Sequence, residues 1–169
     1  AAEDEDNRPA AGAGRATALL RGTLTHRLLQ SLPDVAKERR KKIAEEFLTR
    51  RGGGLASVDR DKVAADVLRL LDDARFAPLF APGSRAEVPV VGKVRAGGSL
   101  VRVSGQVDRL AVTADEVLIA DFKTNSPVPR MVPRAYATQL ALYRAVLARL
   151  YSGKSIRVAL VWTEAPDLM

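Results

Sequence analysis

The period of the hydrophobic pattern changes along this chain, and that change limits the fold more than any other feature. Up to about Asp73 the apolar residues recur at helical spacing. From Ala86 onward they read as strands: AEVPVVGKV (86–94), SLVRVSGQVDRL (99–110) and EVLIADFKT (116–124), separated by RAGG and TAD turns. After a loop with Pro127, Pro129 and Pro133, RAYATQLALYRAVLARL (134–150) is again helical, and SIRVALVWT (155–163) is a last strand. Helices, a three-strand meander, a helix and a further strand predict an α/β domain built on a mixed β-sheet flanked by helices.

The helical part divides at its breakers. One helix runs from about Leu19 to Leu32, where Pro33 favours an end. A second, AKERRKKIAEEFLTRR (36–51), stops at Gly52–Gly54. A third, over about 61–73, carries Val63, Val67, Leu70 and Leu71 on one stripe.

A length of 169 residues suits one domain with a sizeable core. No apolar run approaches a bilayer's thickness and no signal peptide opens the chain, so a cytoplasmic, nucleoid-associated protein without membrane contact is expected. The absence of cysteine excludes disulfides, thiolate zinc sites and an iron–sulfur cluster. The opening AAEDEDNRPAAGAG lacks an initiator Met and is acidic and rich in small residues. Residues 1–15 therefore read as a disordered or linker segment, and 16–169 as the folded domain of a longer polypeptide.

The formal charge is +7. Glu3, Asp4, Glu5 and Asp6 against Arg8 give the first ten residues −3, so the rest of the chain carries +10. That excess points to a polyanionic partner, and the densest cluster is Lys37, Arg39, Arg40, Lys41 and Lys42.

The chemistry concentrates in GQVDRLAVTADEVLIADFKT (105–124). Alternation puts Val101, Val103 and Val107 on one face of the second strand and Arg102, Ser104, Gln106 and Asp108 on the other. In the third strand Asp121 and Lys123 point the same way. A two-residue turn at Ala114-Asp115 pairs positions whose numbers sum to 229, which sets Asp108 opposite Asp121 with Cβ atoms about 5 Å apart. Facing carboxylates repel unless a cation lies between them. Hard oxygen donors favour Mg²⁺ or Mn²⁺. The competing reading is a surface hairpin with solvated aspartate and lysine, and a one-residue slip of register would restore it.

Three further sets of residues join the candidates. His26, the only histidine, is either a satisfied helix residue or a nitrogen ligand that would shift preference towards Mn²⁺. Glu87, near the start of the first strand, is a further carboxylate. Tyr136, Gln139 and Tyr143 share one helical stripe, fit either for an amphipathic boundary or for contacts to a phosphate backbone or the metal's surroundings.

Taken together, RGTLTH (21–26), GQVDR (105–109), DFKT (121–124) and YATQLALY (136–143) resemble the PD-(D/E)xK nuclease superfamily. The similarity is nearest to its RecB-like branch, and within that to the C-terminal nuclease domain of AddA-type helicase–nuclease subunits. The resemblance implies a restriction-endonuclease-like core. It implies metal ligation by His26, Asp108, Asp121 and the Phe122 carbonyl, with Lys123 as the catalytic lysine beside Asp108 and Asp121. It places Gln139 and Tyr143 on the substrate side. Glu87, Arg109, Thr124 and Tyr136 are further candidates for positions around the metal or substrate.

The activity so implied is Mg²⁺- or Mn²⁺-dependent hydrolysis of phosphodiester bonds in DNA, as an exonuclease on single-stranded or unwound ends. Basic residues, the Lys37–Lys42 cluster among them, would hold phosphates with little sequence preference. An AddB-type subunit and the helicase part of the same chain are the implied partners. No G-x-x-x-x-G-K-[ST] phosphate loop occurs, so no nucleotide site lies in this sequence. The alternatives are a catalytically silent nuclease fold that binds DNA and a docking module for a partner subunit.

Overall fold

The computed structural model of the chain describes residues 8–166, with side chains from residue 12. Two compact units divide it, the first ending at Arg69 and the second beginning at Leu70.

The first unit is helical. Helix α1 spans Arg8–Ser31, α2 spans Lys37–Arg51, and α3, Ser57–Asp72, begins here. Residues 8–15, expected in a linker, are thus helical; residues 1–7 lie outside the described residues. Pro33 does not merely end α1: Leu32–Asp34 tightens into a 3-10 turn, a common way to close a helix terminus. The guanidinium of Arg40 fastens that turn by donating to the carbonyls of Val35 (3.0 Å) and Pro33 (3.3 Å). Arg60 does the same for the glycine loop, donating to the carbonyls of Gly52 and Leu55. Leu24, Leu28, Leu29, Leu32, Ala44 and Leu48 are buried.

The second unit is a four-stranded mixed sheet with one long helix. Strands β1 (Arg85–Ala96), β2 (Ser99–Val112) and β3 (Glu116–Lys123) form the meander. Helix α4 (Arg134–Leu150) crosses over to β4 (Ser155–Trp162), which pairs parallel with β3. The sheet order is β1-β2-β3-β4. A parallel neighbour needs such a crossover, which places the helix on a sheet face. In this unit the predicted boundaries hold within about two residues, whereas α1 begins eleven residues before the expected Leu19. The pattern missed one element, the 3-10 segment Ala74–Phe80, whose Phe76 and Leu79 are buried. Short 3-10 runs leave no long period to read.

The register predicted for the β2–β3 hairpin is the one observed: Arg109↔Ala120, Leu110↔Ile119, Ala111↔Leu118 and Val112↔Val117. The Thr113 N–H donates to the Glu116 carbonyl at 2.8 Å and closes the two-residue turn. The strict alternation expected for β2 fails at one place. Gly105 faces α4, and Val103 and Val107 join the core beneath that helix. Leu110 joins the same core, while Arg109 turns to the other face. Val107 and Arg109, two apart, therefore lie on opposite sides, and the phase slips at Asp108.

The cause is visible on β1. Ala86 pairs with Arg109 and Val88 with Val107, but Glu87 and Asp108 between them do not pair. Glu87 has φ of 53°, the one positive value for a non-glycine residue among those described. Such a backbone is costly for a side chain with a Cβ and collects at functional sites.

Candidate metal centre

The β2–β3 ladder ends at Arg109↔Ala120, one step before the two aspartates. Past that point the Asp108 side chain stands in for a backbone partner: its Oδ2 accepts from the Phe122 N–H at 2.6 Å. On the other edge of β3 the Lys123 carbonyl accepts from Thr163 N–H at 2.9 Å. Backbone groups of successive residues alternate in direction, so the Phe122 carbonyl leaves on the β2 side, where Asp108 lies.

Asp121 shares the α4-facing side of β3 with Val117 and Ile119. Its side chain is 14% exposed, and Oδ2 has no hydrogen bond of good geometry; its neighbour is Lys123 Nζ at 2.6 Å. Burial pushes the Asp121 carboxyl above the usual aspartate range. The Lys123 ammonium beside it opposes the rise, and the charge of Asp108 adds to it. A carboxylate oxygen of Glu87 lies within 4.8 Å of one of Asp108, and Gln106 Nε2 donates to Glu87 Oε2.

Three carboxylates thus gather where the meander loosens, with one ammonium among them. Buried like charges at this spacing are unfavourable unless cations compensate. The donor set is hard oxygen, and Asp121 Oδ2 is a buried acceptor short of partners. A divalent cation of the Mg²⁺ or Mn²⁺ kind fits these residues.

The remaining candidates separate into groups. His26 is half-buried on α1, in the first unit. Lys123 lies with its Nζ 4.1 Å from the Tyr136 ring centroid. Thr124 follows β3 and is half-buried. Gln139 is exposed and donates through Nε2 to the Tyr143 hydroxyl at 3.1 Å, while Tyr143 itself is 5% exposed and packs in the core. Arg109 points away from the aspartates. The residue is 2% exposed, and its guanidinium donates to the Leu79 carbonyl and Ser84 Oγ and lies over the Phe80 ring. It secures the 3-10 segment. In the basic cluster Lys37, Arg39, Lys41 and Lys42 are exposed, with Lys41 and Lys42 about 4 Å from Glu45 and Glu46, whereas Arg40 is committed to its turn.

Sequence reasoning did not find what Gly105 is for. A Cβ there would stand 1.9 Å from the Tyr143 hydroxyl and 2.7 Å from its Cζ. The glycine of the G-x-x-D-R stretch and the tyrosine of the Q-x-x-x-Y stretch are therefore one packing contact, and it seats α4 on the sheet. The signal was present, since a glycine inside a strand marks a close approach.

A model of the PD-(D/E)XK nuclease superfamily matches residues 3–167. The chain belongs to that superfamily. Its nucleases use divalent metal ions, which agrees with the donor set above. No curated protein matches the chain. Among solved structures it is similar to SSO0001, at 14% identity over 92% of this chain and 76% of that one, with a TM-score of 0.39. It is also similar to protein VC1899 from Vibrio cholerae, at 16% identity over 95% of this chain and 46% of that one, with a TM-score of 0.36. Among the described residues no helix is long and apolar enough to cross a membrane.

Proposed function

We propose that this chain is the nuclease module of a bacterial double-strand-break repair helicase–nuclease. In this reading it hydrolyses phosphodiester bonds as a Mg²⁺- or Mn²⁺-dependent exonuclease on single-stranded or unwound DNA ends. It would belong to the RecB-like branch and work in the cytoplasm at the nucleoid. Its partners would be an AddB-type subunit and the motor part of a longer AddA-type chain. Support for the nuclease itself comes from one observation above all: Asp108, Asp121 and Lys123 meet at the frayed end of the β2–β3 ladder, around a buried acceptor that lies against the Lys123 ammonium. The helicase context rests on the likeness of RGTLTHRLLQSLP (21–33) and VALVWTEAP (158–166) to AddA-type chains.

Asp108, Asp121 and the Phe122 carbonyl would hold the ion, with His26 as the nitrogen ligand and Glu87 adding a further carboxylate. A bound divalent ion supplies Lewis acidity, which lowers the pKa of water and draws charge from the scissile phosphate. Lys123 orients the attacking water and stabilises charge that develops on the phosphate oxygens. Lys37, Arg39, Lys41 and Lys42 attract the DNA backbone without reading bases.

Cleavage of labelled single-stranded and duplex DNA, with Mg²⁺ and with excess EDTA, tests the reading. Metal-dependent cleavage that prefers single strands is expected. Cleavage undiminished by EDTA would overturn the metal-dependent mechanism. Metal-independent DNA binding without cleavage would favour a silent DNA-binding module.

A further inference from the structure

The proposed nuclease needs Lys123 near its nucleophilic water, yet the carboxylate of Asp121 draws the ammonium onto itself at 2.6 Å. A lysine fully committed to that carboxylate is poorly placed to serve a water. Its four-carbon stem is flexible, so only its contacts fix where the charge sits. The second contact is the face of Tyr136, 4.1 Å from Nζ to the ring centroid, well inside the roughly 6 Å reach of a cation–π attraction.

A ring face attracts positive charge without taking N–H donors in the directed way that a carboxylate does. An ammonium has three donors. Held between Asp121 and the ring, Lys123 keeps donors for a water or a phosphate oxygen. Tyr136 is half-buried at the edge of the core, and it turns its face to a charge.

Helix α4 sets the position of that ring. Tyr143 fills the space above Gly105, and Gln139 ties to its hydroxyl. Tyr136 lies seven residues earlier on the same stripe, about 10 Å along the axis at 1.5 Å per residue. Seating Tyr143 on β2 therefore sets where the Tyr136 ring meets Lys123 on β3.

We propose that Tyr136 is a positioning residue for Lys123, acting through the face of its ring and not through its hydroxyl. The proposal rests on the nuclease reading above. Tyr136→Phe keeps the ring and Tyr136→Leu removes it; Tyr136→Met gives the same comparison if the leucine variant does not fold. Two readouts are needed. The first is the NMR shift of the Lys123 Cε protons in metal-free protein, which a ring at this distance moves upfield. The second is kcat and KM for single-stranded DNA with Mn²⁺.

The leucine variant should lose the upfield shift. Its kcat should fall about 10- to 100-fold, the scale for a catalytic group that is present but misplaced, with KM within about twofold. The phenylalanine variant should keep both the shift and kcat. Equal losses in the two variants, or full kcat in the leucine variant, would overturn the proposal. A wild type that cleaves DNA without the shift overturns the positioning role alone. A wild type that keeps the shift but cleaves no DNA overturns the nuclease reading, and the positioning role with it.

Discussion

Phe122 donates its backbone N–H to Asp108 Oδ2 at 2.6 Å, in the place where the next rung of the ladder would fall. A side chain has replaced a backbone partner, so the carboxylate is located by the strand's own hydrogen-bonding needs. Asp108→Asn keeps an acceptor for that N–H and removes the charge. It should melt within a few degrees of wild type and lose cleavage. Asp108→Ala removes the acceptor that Phe122 N–H uses, and losing such a bond at a buried donor costs about 1–3 kcal/mol, or roughly 2–4 °C per kcal/mol in a chain of this size. Thermal melts of both variants read the difference.

Asp121 gives the pH dependence. Its folded-state pKa is raised, chiefly by burial, so the folded metal-free protein binds a proton more tightly than the unfolded chain. Stability from this group is full below the ordinary aspartate value and is lost as pH rises through the raised one. Asp121→Asn cannot ionise. Without metal its melting temperature should equal or exceed that of wild type at neutral pH, and the advantage should vanish in acid. Adding Mn²⁺ should raise the wild-type melt by a term scaling as RT ln(1 + [L]/Kd) and leave the variant nearly unmoved. An equal metal shift in both proteins would show that this aspartate is not a ligand.

Lys123→Ala should abolish cleavage and leave metal binding largely intact, because the lysine serves the water. Removing the ammonium also frees Asp121 Oδ2, so Mn²⁺ affinity by calorimetry should hold or rise. A loss of affinity as complete as that of Asp121→Asn would contradict this division of roles.

Gly105→Ala places a methyl group into the Tyr143 hydroxyl and ring edge. Overpacking of this kind costs about 1–3 kcal/mol. Tyr143→Phe removes the nearest atom of the clash and should recover part of the loss in the double variant. A double-mutant cycle by denaturant unfolding measures that coupling. Additive losses would mean that the two positions do not meet.

Binding of single-stranded DNA should weaken steeply with salt through counterion release, by about 0.7 in log–log slope for each phosphate neutralised. Neutralising Lys37, Arg39, Lys41 and Lys42 together should flatten that slope without changing sequence preference. Unaltered binding would remove α2 from the DNA path.

The hairpin was legible because a two-residue turn and period-2 strands leave one register, and 109–112 pair with 117–120 as that register requires. The carboxylate cluster followed from it. The phase slip at Asp108 was not legible. It depends on the positive φ of Glu87, which no residue type there announces, since glutamate ordinarily avoids that region. Arg109 shows the same limit. Its charge reads as a candidate for substrate, but its burial beside Leu79, Phe80 and Ser84 comes from a 3-10 segment that has no periodicity to detect. For Gly105 and Tyr143 each residue was visible and their contact was not, because nothing in a single chain states which strand a helix will lie across.

Asp108 and Arg109 are peptide neighbours that serve opposite faces of the sheet, one at the candidate metal site and the other locked into the Ala74–Phe80 segment and Ser84. A strand transmits rotation about its own axis, so the arginine behaves as a counterweight that fixes the angle at which the aspartate leaves the sheet. A screen for inactive variants would therefore return Arg109 beside the proposed ligands. Its loss would mimic damage to the chemistry although the guanidinium touches no part of it. The two causes part under heat: inactive Asp108→Asn should stay folded at temperatures where Arg109→Ala has already opened.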